Sequence, residues 1–157
     1  MLAPLLLTAV VVLADASPPP TTLARRGFQT TFPVAVRAIR FRPFMPDRPL
    51  TDVALLTPFH GESISQNEGV GLEYERDGRA WILSEWPRNG GTLAAFQPWP
   101  GMASCADVHA VGGRNQPRGV VWSTPHGLVL SLTPDGSASP GTIAAEFRRL
   151  VNLGACR

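Results

Sequence analysis

One stretch, LEYERDGRAWILSEWP at residues 72–87, constrains the fold of this chain more than any other. Large and polar side chains alternate on both sides of Asp77-Gly78. A two-residue loop of this composition predicts a β-hairpin, because Gly tolerates positive φ and Asp does so better than most residues. The loop also fixes the strand register, which pairs Arg76 with Arg79, Tyr74 with Trp81, and Leu72 with Leu83.

The two faces of this predicted hairpin differ in character. By the period-2 rule the apolar pairs share one face, and the other face carries a mostly polar set: Glu73, Glu75, Ala80, Ile82 and Ser84. We therefore expect the first face to be buried and Ile82, on the second, to contribute much less to stability. Glu85 falls opposite Val70 at the end of the apolar face, where the expectation is an edge carboxylate that reaches solvent.

Short apolar runs separated by turn residues predict further strands, at 34–41, 53–59, 92–99 and 106–113. A second hairpin is expected around residues 124–127, where Pro and Gly occupy typical turn positions. Sixteen Pro and fifteen Gly also favour short elements with many turns over a helix bundle.

The end of the chain, SPGTIAAEFRRLVNLG, carries the signals of a helix. Ser139 is a suitable N-cap, Pro140 suits the first turn, and Gly154 is a suitable stop. Its apolar stripe consists of Ile143, Phe147, Leu150 and Val151, and the opposite face is expected to carry Glu146, Arg149 and Asn152. The predicted fold is thus α+β: a curved antiparallel β-meander of five to seven strands with this helix on its inner face.

The first residues form a separate segment. Residues 1–16 are apolar from Leu2 to Leu13 and end in Ala14-Asp15-Ala16, which suits cleavage after Ala16. The run is shorter than the ~20 residues of a spanning helix, and no positive charge precedes it. A cleaved signal peptide, the second half of a longer membrane anchor and a plain buried segment all remain open. Each would begin the chain with an apolar helix, and the first two place the rest outside the cytoplasm.

The expected domain organisation follows from this segment. Residues 17–31 contain Pro18 to Pro20 and resemble a Pro-rich linker, so a single α+β domain is predicted over residues 32–157. If residues 1–16 stay attached, the membrane is a partner. The formal net charge of +2 is small, and the fourteen basic residues, all Arg, are dispersed, so no nucleic-acid partner is expected.

Cys105 and Cys156 are the two cysteines of the chain. In an exported protein they are expected to form a disulfide, because the extracytoplasmic space is oxidising. Such a bond would tie the end of the terminal helix to the loop before residue 106. Two free thiols, as in a cytoplasmic protein, are the alternative.

Candidate site residues are few. Four tryptophans fall in the β region and could line a cleft for an apolar ligand: Trp81, Trp86, Trp99 and Trp122. Burial in an ordinary core is the alternative for all four. We expect no catalytic set, no metal site and no cofactor, because His60, His109 and His126 lack the spacing of common zinc motifs. HGES at residues 60–63 leaves a small exported serine hydrolase, with Ser63 as nucleophile, as a remote alternative.

Three blocks and a terminal helix carry a resemblance: Tyr74…Asp77-Gly78…Leu83, then Val108…Gly112, then Val121-Trp122…Gly127…Leu132. The pattern, over roughly residues 40–153, resembles the extracytoplasmic C-terminal domain of some bacterial membrane-anchored anti-sigma factors and related lipoprotein-sorting-like domains. The cytoplasmic half and zinc-binding motif of that family are missing here.

The resemblance implies a non-enzymatic sensing or binding domain in the periplasm or an equivalent space, with a regulatory protein as partner. A carrier that holds an apolar ligand or lipid in the concave sheet is the second interpretation.

Overall fold

The computed structural model describes residues 23, 27–56, 69–88, 93, 96–99, 102, 105, 107–113 and 115–157. Within them the chain forms one antiparallel sheet of eight strands and two helices, which confirms the predicted α+β class. The sheet has more strands than the five to seven expected, and a second helix joins the C-terminal one. The predicted N-terminal apolar helix lies outside the described residues.

The strands are numbered along the chain. The first four are β1 (Gly27–Gln29), β2 (Leu50–Leu56), β3 (Gly69–Arg76) and β4 (Arg79–Pro87). The last four are β5 (Gln97–Pro98), β6 (His109–Gly113), β7 (Gln116–Ser123) and β8 (Leu128–Pro134). The helices are α1 (Phe32–Ala38) and α2 (Pro140–Asn152).

The order of strands across the sheet is β1-β2-β3-β4-β8-β7-β6-β5. The chain therefore builds one meander from β1 to β4, crosses to the far edge, and returns through a second meander that ends beside β4. A single continuous meander was predicted, and this is wrong because β4 pairs with β8 along its length, from Trp81 opposite Pro134 to Pro87 opposite Leu128.

The β3–β4 hairpin has the predicted register. Tyr74 lies opposite Trp81, Leu72 opposite Leu83, and Val70 opposite Glu85. Asp77 and Gly78 have φ of 53° and 71°, so both turn residues adopt the left-handed conformation that makes a two-residue loop compatible with the strand twist. The second hairpin also forms where it was expected, with the Gly127 amide donating to the Thr124 carbonyl at 3.1 Å.

Both helices pack on one face of the sheet, which we call the front face. Tyr74, Leu83 and Trp122 contact α2 there, in the largest cluster of buried apolar residues. Beside this cluster, Ala35 of α1 and Ile39, the residue that caps the end of α1, pack on Val53, Val70 and Leu72. The front face is thus closed by two helices and holds the main core.

The opposite face of the hairpin is buried as well, against expectation. Ile82 is 0% exposed and packs with Leu23, Ala54 and Leu56. A Cβ at Gly71 would collide with the Leu23 side chain, which shows how closely that residue approaches the sheet. The prediction of a polar outer face was wrong because Leu23, which precedes β1, packs on it. Leu23 and β1 both fall inside the predicted 17–31 linker, so the sheet begins before residue 32.

α1 replaces the strand predicted at residues 34–41. The alternation of Val34 and Val36 suggested a strand, but both side chains are exposed, while Ala35 and Ile39, four apart, face the sheet. Pro33 sits in the first turn of the helix, where the missing N–H is tolerated. The helical spacing of the buried residues therefore outweighs the local β propensity.

α2 begins and ends as predicted. The Ser139 Oγ accepts the Thr142 N–H at 3.1 Å, and Gly154 adopts a φ of 105° just after the last turn. Ile143, Phe147 and Leu150 are fully buried. Glu146, expected on the outer face, is buried instead, because it lies beside the stripe and turns toward the hairpin.

Cys105 and Cys156 form the predicted disulfide, with their Cα atoms 5.5 Å apart. Both side chains pack at the margin of the main core, where the bond ties the residue after α2 to the stretch that precedes β6. Neither helix of the described residues has the length and apolar character needed to cross a bilayer.

Candidate functional site

Trp122 is a core residue at the junction of β7 and α2. Its ring meets Phe147 edge-on, with centroids 5.0 Å apart and planes at 72°. Its Nε1–H donates to the Ala155 carbonyl at 2.9 Å, which satisfies the single polar group of the ring. The side chain therefore anchors the end of α2 to the sheet, next to the disulfide.

The other three predicted tryptophans do not share one site with Trp122. Trp81 belongs to the same buried cluster and Trp99 packs at its margin. Trp86 lies on the back face, against the Leu23 and Ile82 cluster. Two of the four thus contribute to the core under α2, one borders it and one is separated from it by the sheet, so no common cleft is formed by the set.

A buried polar network joins the tip of the β3–β4 hairpin to α2. The Glu146 Oε1 accepts the Tyr74 O–H at 2.9 Å and the Arg76 Nε–H at 3.0 Å. Arg76 also forms an ion pair with Asp47, which ties the segment after α1 to the same point. Burial first, and the neighbouring Glu146 carboxylate second, raise the pKa of Tyr74, so its hydroxyl stays protonated and acts as a donor.

A cavity of about 490 Å³ adjoins this network at the start of α2. Arg76, Arg79 and Arg149 border it, but each guanidinium is already engaged: Arg79 donates to the Ser137 carbonyl, and Arg149 pairs with Asp77 and Glu146. The charges around the cavity are therefore largely compensated, and the cluster serves to fasten three segments together.

A larger groove, of about 760 Å³, lies where the β6–β7 hairpin meets the end of β8 and the loop to α2. We call it the β6–β8 groove. Its lining residues come from four consecutive pieces of chain: Val111, Asn115, Gln116, Pro117, Arg118, Thr133, Pro134, Gly136, Ser137, Ala138 and Pro140.

The lining of the β6–β8 groove is mixed in character. Pro117, Pro134 and Pro140 offer rigid apolar surface, and Asn115 and Gln116 offer exposed amides. Among the described lining residues Arg118 alone is charged; its side chain is exposed and can donate to a carboxylate or carbonyl oxygen. The volume lies within the ~300–1,000 Å³ range of small-molecule and peptide pockets. Sequence reasoning missed this site, since its parts are turns with no motif of their own.

Glu85 is buried on the front face, although a solvent-reaching side chain was expected. Its side chain is 0% exposed, and its Oε2 accepts the Phe44 N–H at 2.9 Å. No hydrogen bond reaches Oε1 among the described residues. Burial raises the pKa of Glu85 to about 8, and the Phe44 amide opposes that rise only in part. The expectation was wrong because the segment between α1 and β2 crosses over this end of the face.

Glu73 is a second buried carboxyl, on the back face. Its Oε1 accepts the Thr51 O–H at 3.3 Å, while Oε2 has no hydrogen-bond partner among the described residues. Burial is the main cause that raises the pKa of Glu73, and the nearby carboxylates of Asp52 and Asp135 add to it. The sheet thus carries one buried carboxyl on each face, Glu85 on the front and Glu73 on the back.

The histidines give no sign of a shared centre. The His109 Nδ1 lies 3.1 Å from the Phe96 carbonyl oxygen, and His126 is exposed in its turn. No group of three or more His, Cys, Asp or Glu side chains is placed to hold a metal ion within the part of the chain that is described. His60 and Ser63, on which the hydrolase alternative depends, lie outside that part.

Comparison of the chain with protein-family models, with curated proteins and with solved structures finds no match.

Proposed function

We propose that this chain is an exported, non-enzymatic binding domain that engages its partner at the β6–β8 groove. The observation that carries the proposal is the groove itself, which combines a ligand-sized volume, rigid apolar walls and an exposed guanidinium. A partner that suits it is a short extended polypeptide segment or small molecule that carries a carboxylate beside apolar groups.

The packing of the front face favours binding at this groove over a ligand held inside the fold. The space between sheet and helices is filled by Trp122, Phe147 and Leu150, which are fully buried, together with their apolar neighbours. A carrier of apolar ligands would need that space, or would need α2 to move away. The β6–β8 groove needs neither change, since Arg118 and Ser137 are exposed as the chain stands.

Export is supported by the disulfide between Cys105 and Cys156. Such bonds persist in oxidising compartments and are rare in the cytosol of most organisms. The apolar run of residues 1–16 agrees with this, either as a signal peptide or as an anchor that leaves the domain outside the membrane. The resemblance to the outer domains of anti-sigma factors adds a candidate role, in which the groove receives a regulatory protein.

The proposal is tested by photocrosslinking in cells that export the chain. A photoreactive residue replaces Ser137 in the groove, and a matched variant carries it at Asn152, exposed on α2. We expect an adduct of one defined mass from the Ser137 position, which disappears when Arg118→Glu is added, and no such adduct from Asn152. Equal adducts at both positions, or an Arg118→Glu variant that still crosslinks, would contradict binding at the groove.

A further inference from the structure

Charge is distributed unevenly between the two layers of the fold. The helical layer, residues 30–49 and 139–157, contains seven Arg but only Asp47 and Glu146 as acidic side chains, a formal charge of +5. The described strands and their turns contain seven acidic residues and four Arg, a formal charge of −3. The net charge of the chain is small, but the described charges are separated: the helical layer over the front face is positive and the strand layer is negative.

Most of the positive charge in the helical layer is uncompensated. Within the described residues, salt bridges involve only Arg76 and Arg149 as cations. The other six arginines of the layer are exposed and form none: Arg37, Arg40, Arg42, Arg48, Arg148 and Arg157. Unpaired guanidinium groups on one side create a positive potential that attracts an anionic surface.

Exposed apolar side chains occur on the same side. The exposed large hydrophobic residues of the described chain are Phe28, Val34, Val36, Met45 and Leu153. Four belong to the helical layer. Phe28, 66% exposed, lies opposite Leu55 in the sheet register, and Leu55 packs with the α1 cluster, so Phe28 also points to the front. Solvent-exposed apolar groups thus coincide with the unpaired arginines.

We infer that the helical layer docks on the surface of a membrane that contains anionic phospholipids. Arginines at the headgroup level and large apolar side chains that reach just below it are the combination that interfacial binding requires. An acidic protein would match the charges, but it would need a separate pocket for each of the scattered apolar side chains. The exposed arginines and apolar side chains that form this surface do not line the β6–β8 groove, to which the helical layer contributes Pro140.

The test compares binding of the full chain to vesicles of phosphatidylcholine alone and of phosphatidylcholine with phosphatidylglycerol. One variant replaces Arg37 and Arg40 of the helical layer by Gln, and a matched variant removes the same charge from the strand layer through Arg88 and Arg118 to Gln. Insertion through residues 1–16 contributes equally in every variant, so only the dependence on anionic lipid is compared. Thermal unfolding and an intact disulfide establish that each variant is folded.

We expect phosphatidylglycerol to strengthen binding of the unaltered chain, and added salt to reverse the gain. Each arginine near an anionic surface contributes roughly fivefold, so the helical-layer variant should lose about 25-fold of that gain. The sheet-side variant should keep it. Equal losses in both variants, no gain from phosphatidylglycerol, or binding of polyglutamate in preference to the anionic vesicles would each overturn the inference.

Discussion

Glu85 is a carboxyl group that the fold surrounds with apolar side chains. Val70 and Leu130 flank it on the neighbouring strands, and the backbone of Phe44 closes over it. Its position on the apolar face was predictable from the hairpin register. Its burial was not, because the covering segment between α1 and β2 is Pro-rich and carries no pattern that says where it crosses the sheet.

The raised pKa of Glu85 predicts a pH-dependent stability. With a pKa of about 8 when folded against an ordinary value of 4.5, the folded state holds a proton that the unfolded chain releases. The contribution of this group is therefore complete below pH 4.5 and is lost as the pH rises to 8, by about 1.4 kcal/mol per pH unit. Glu85→Gln does not titrate and does not lose this contribution. As the pH rises from 4.5 to 8, its free energy of unfolding should therefore increase steadily relative to that of the unaltered chain.

Denaturant unfolding of both proteins at intervals from pH 4.5 to pH 8 measures the effect of Glu85. Other titrating groups are the same in the two chains and cancel in the difference. Parallel stability profiles would mean that Glu85 is ionised in the folded chain and that the packing around it is looser than described.

Ile82 is buried, whereas the sequence pattern indicated an outer, more exposed position. With neighbours Leu23, Ala54 and Leu56 around it, Ile82→Ala should lower the free energy of unfolding by about 2–5 kcal/mol, as large-to-small core changes do. Trp81→Ala on the front face should cost a similar amount. Val34→Ala, at a side chain that is 50% exposed, is the control and should change little. If Ile82→Ala behaves like the control, Leu23 does not cover the back face.

At the scale of elements, α1 and α2 show which features of a helix can be predicted from residues that are close together in sequence. The caps and apolar stripe of α2 are short-range features and were predicted correctly, whereas Arg76 and Tyr74, the buried partners of Glu146, lie 70 and 72 residues away in sequence. The segment of α1 is only seven residues long, and its two valines argue for a strand. Its helical state depends on packing against β2, which no local pattern reveals.

The network around Glu146 should be a strong link between α2 and the hairpin. Glu146→Leu leaves the buried Arg76 with Asp47 alone, and removing one member of a buried pair costs about 3–5 kcal/mol. Replacing Arg76 and Glu146 together by Leu should recover much of that loss, because no buried charge is then left behind.

Equilibrium unfolding of Arg76→Leu, of Glu146→Leu and of the double variant measures the coupling between Arg76 and Glu146. Arg149→Ala, at the solvent-exposed end of the same network, is the matched control and should have little effect. Additive losses in the double variant would show that Arg76 and Glu146 do not act as a pair.

At the scale of the whole molecule, the long-range connections could not be read from the sequence. Both hairpins and their turns follow from residues that are close together, such as Asp77-Gly78 and Gly127. The pairing of β4 with β8, which joins the two meanders, brings together strands more than forty residues apart. The β6–β8 groove and the polarity between layers are products of that assembly, so neither had a local signal.

The disulfide links this whole-molecule arrangement to the place where the protein acts. Cys105 and Cys156, 51 residues apart in sequence, close a loop that contains β6, β7, β8 and α2. The second meander and its helix are thereby enclosed in one covalent ring. Such a ring stabilises the fold mainly by restricting the unfolded chain, and bonds of this kind persist mostly in oxidising compartments, which supports the proposed export.

The most direct test of whether the domain folds outside the cytoplasm is to express the chain, with its own N-terminus, in a bacterium and to determine its location. Mass spectrometry without reduction, combined with N-terminal sequencing, gives the thiol state and the first residue of the recovered protein. We expect periplasmic protein that begins at Ser17, or membrane-bound protein that begins at Met1, with one linked peptide pair that contains Cys105 and Cys156. Soluble cytoplasmic protein that begins at Met1 and carries two alkylated thiols would contradict it.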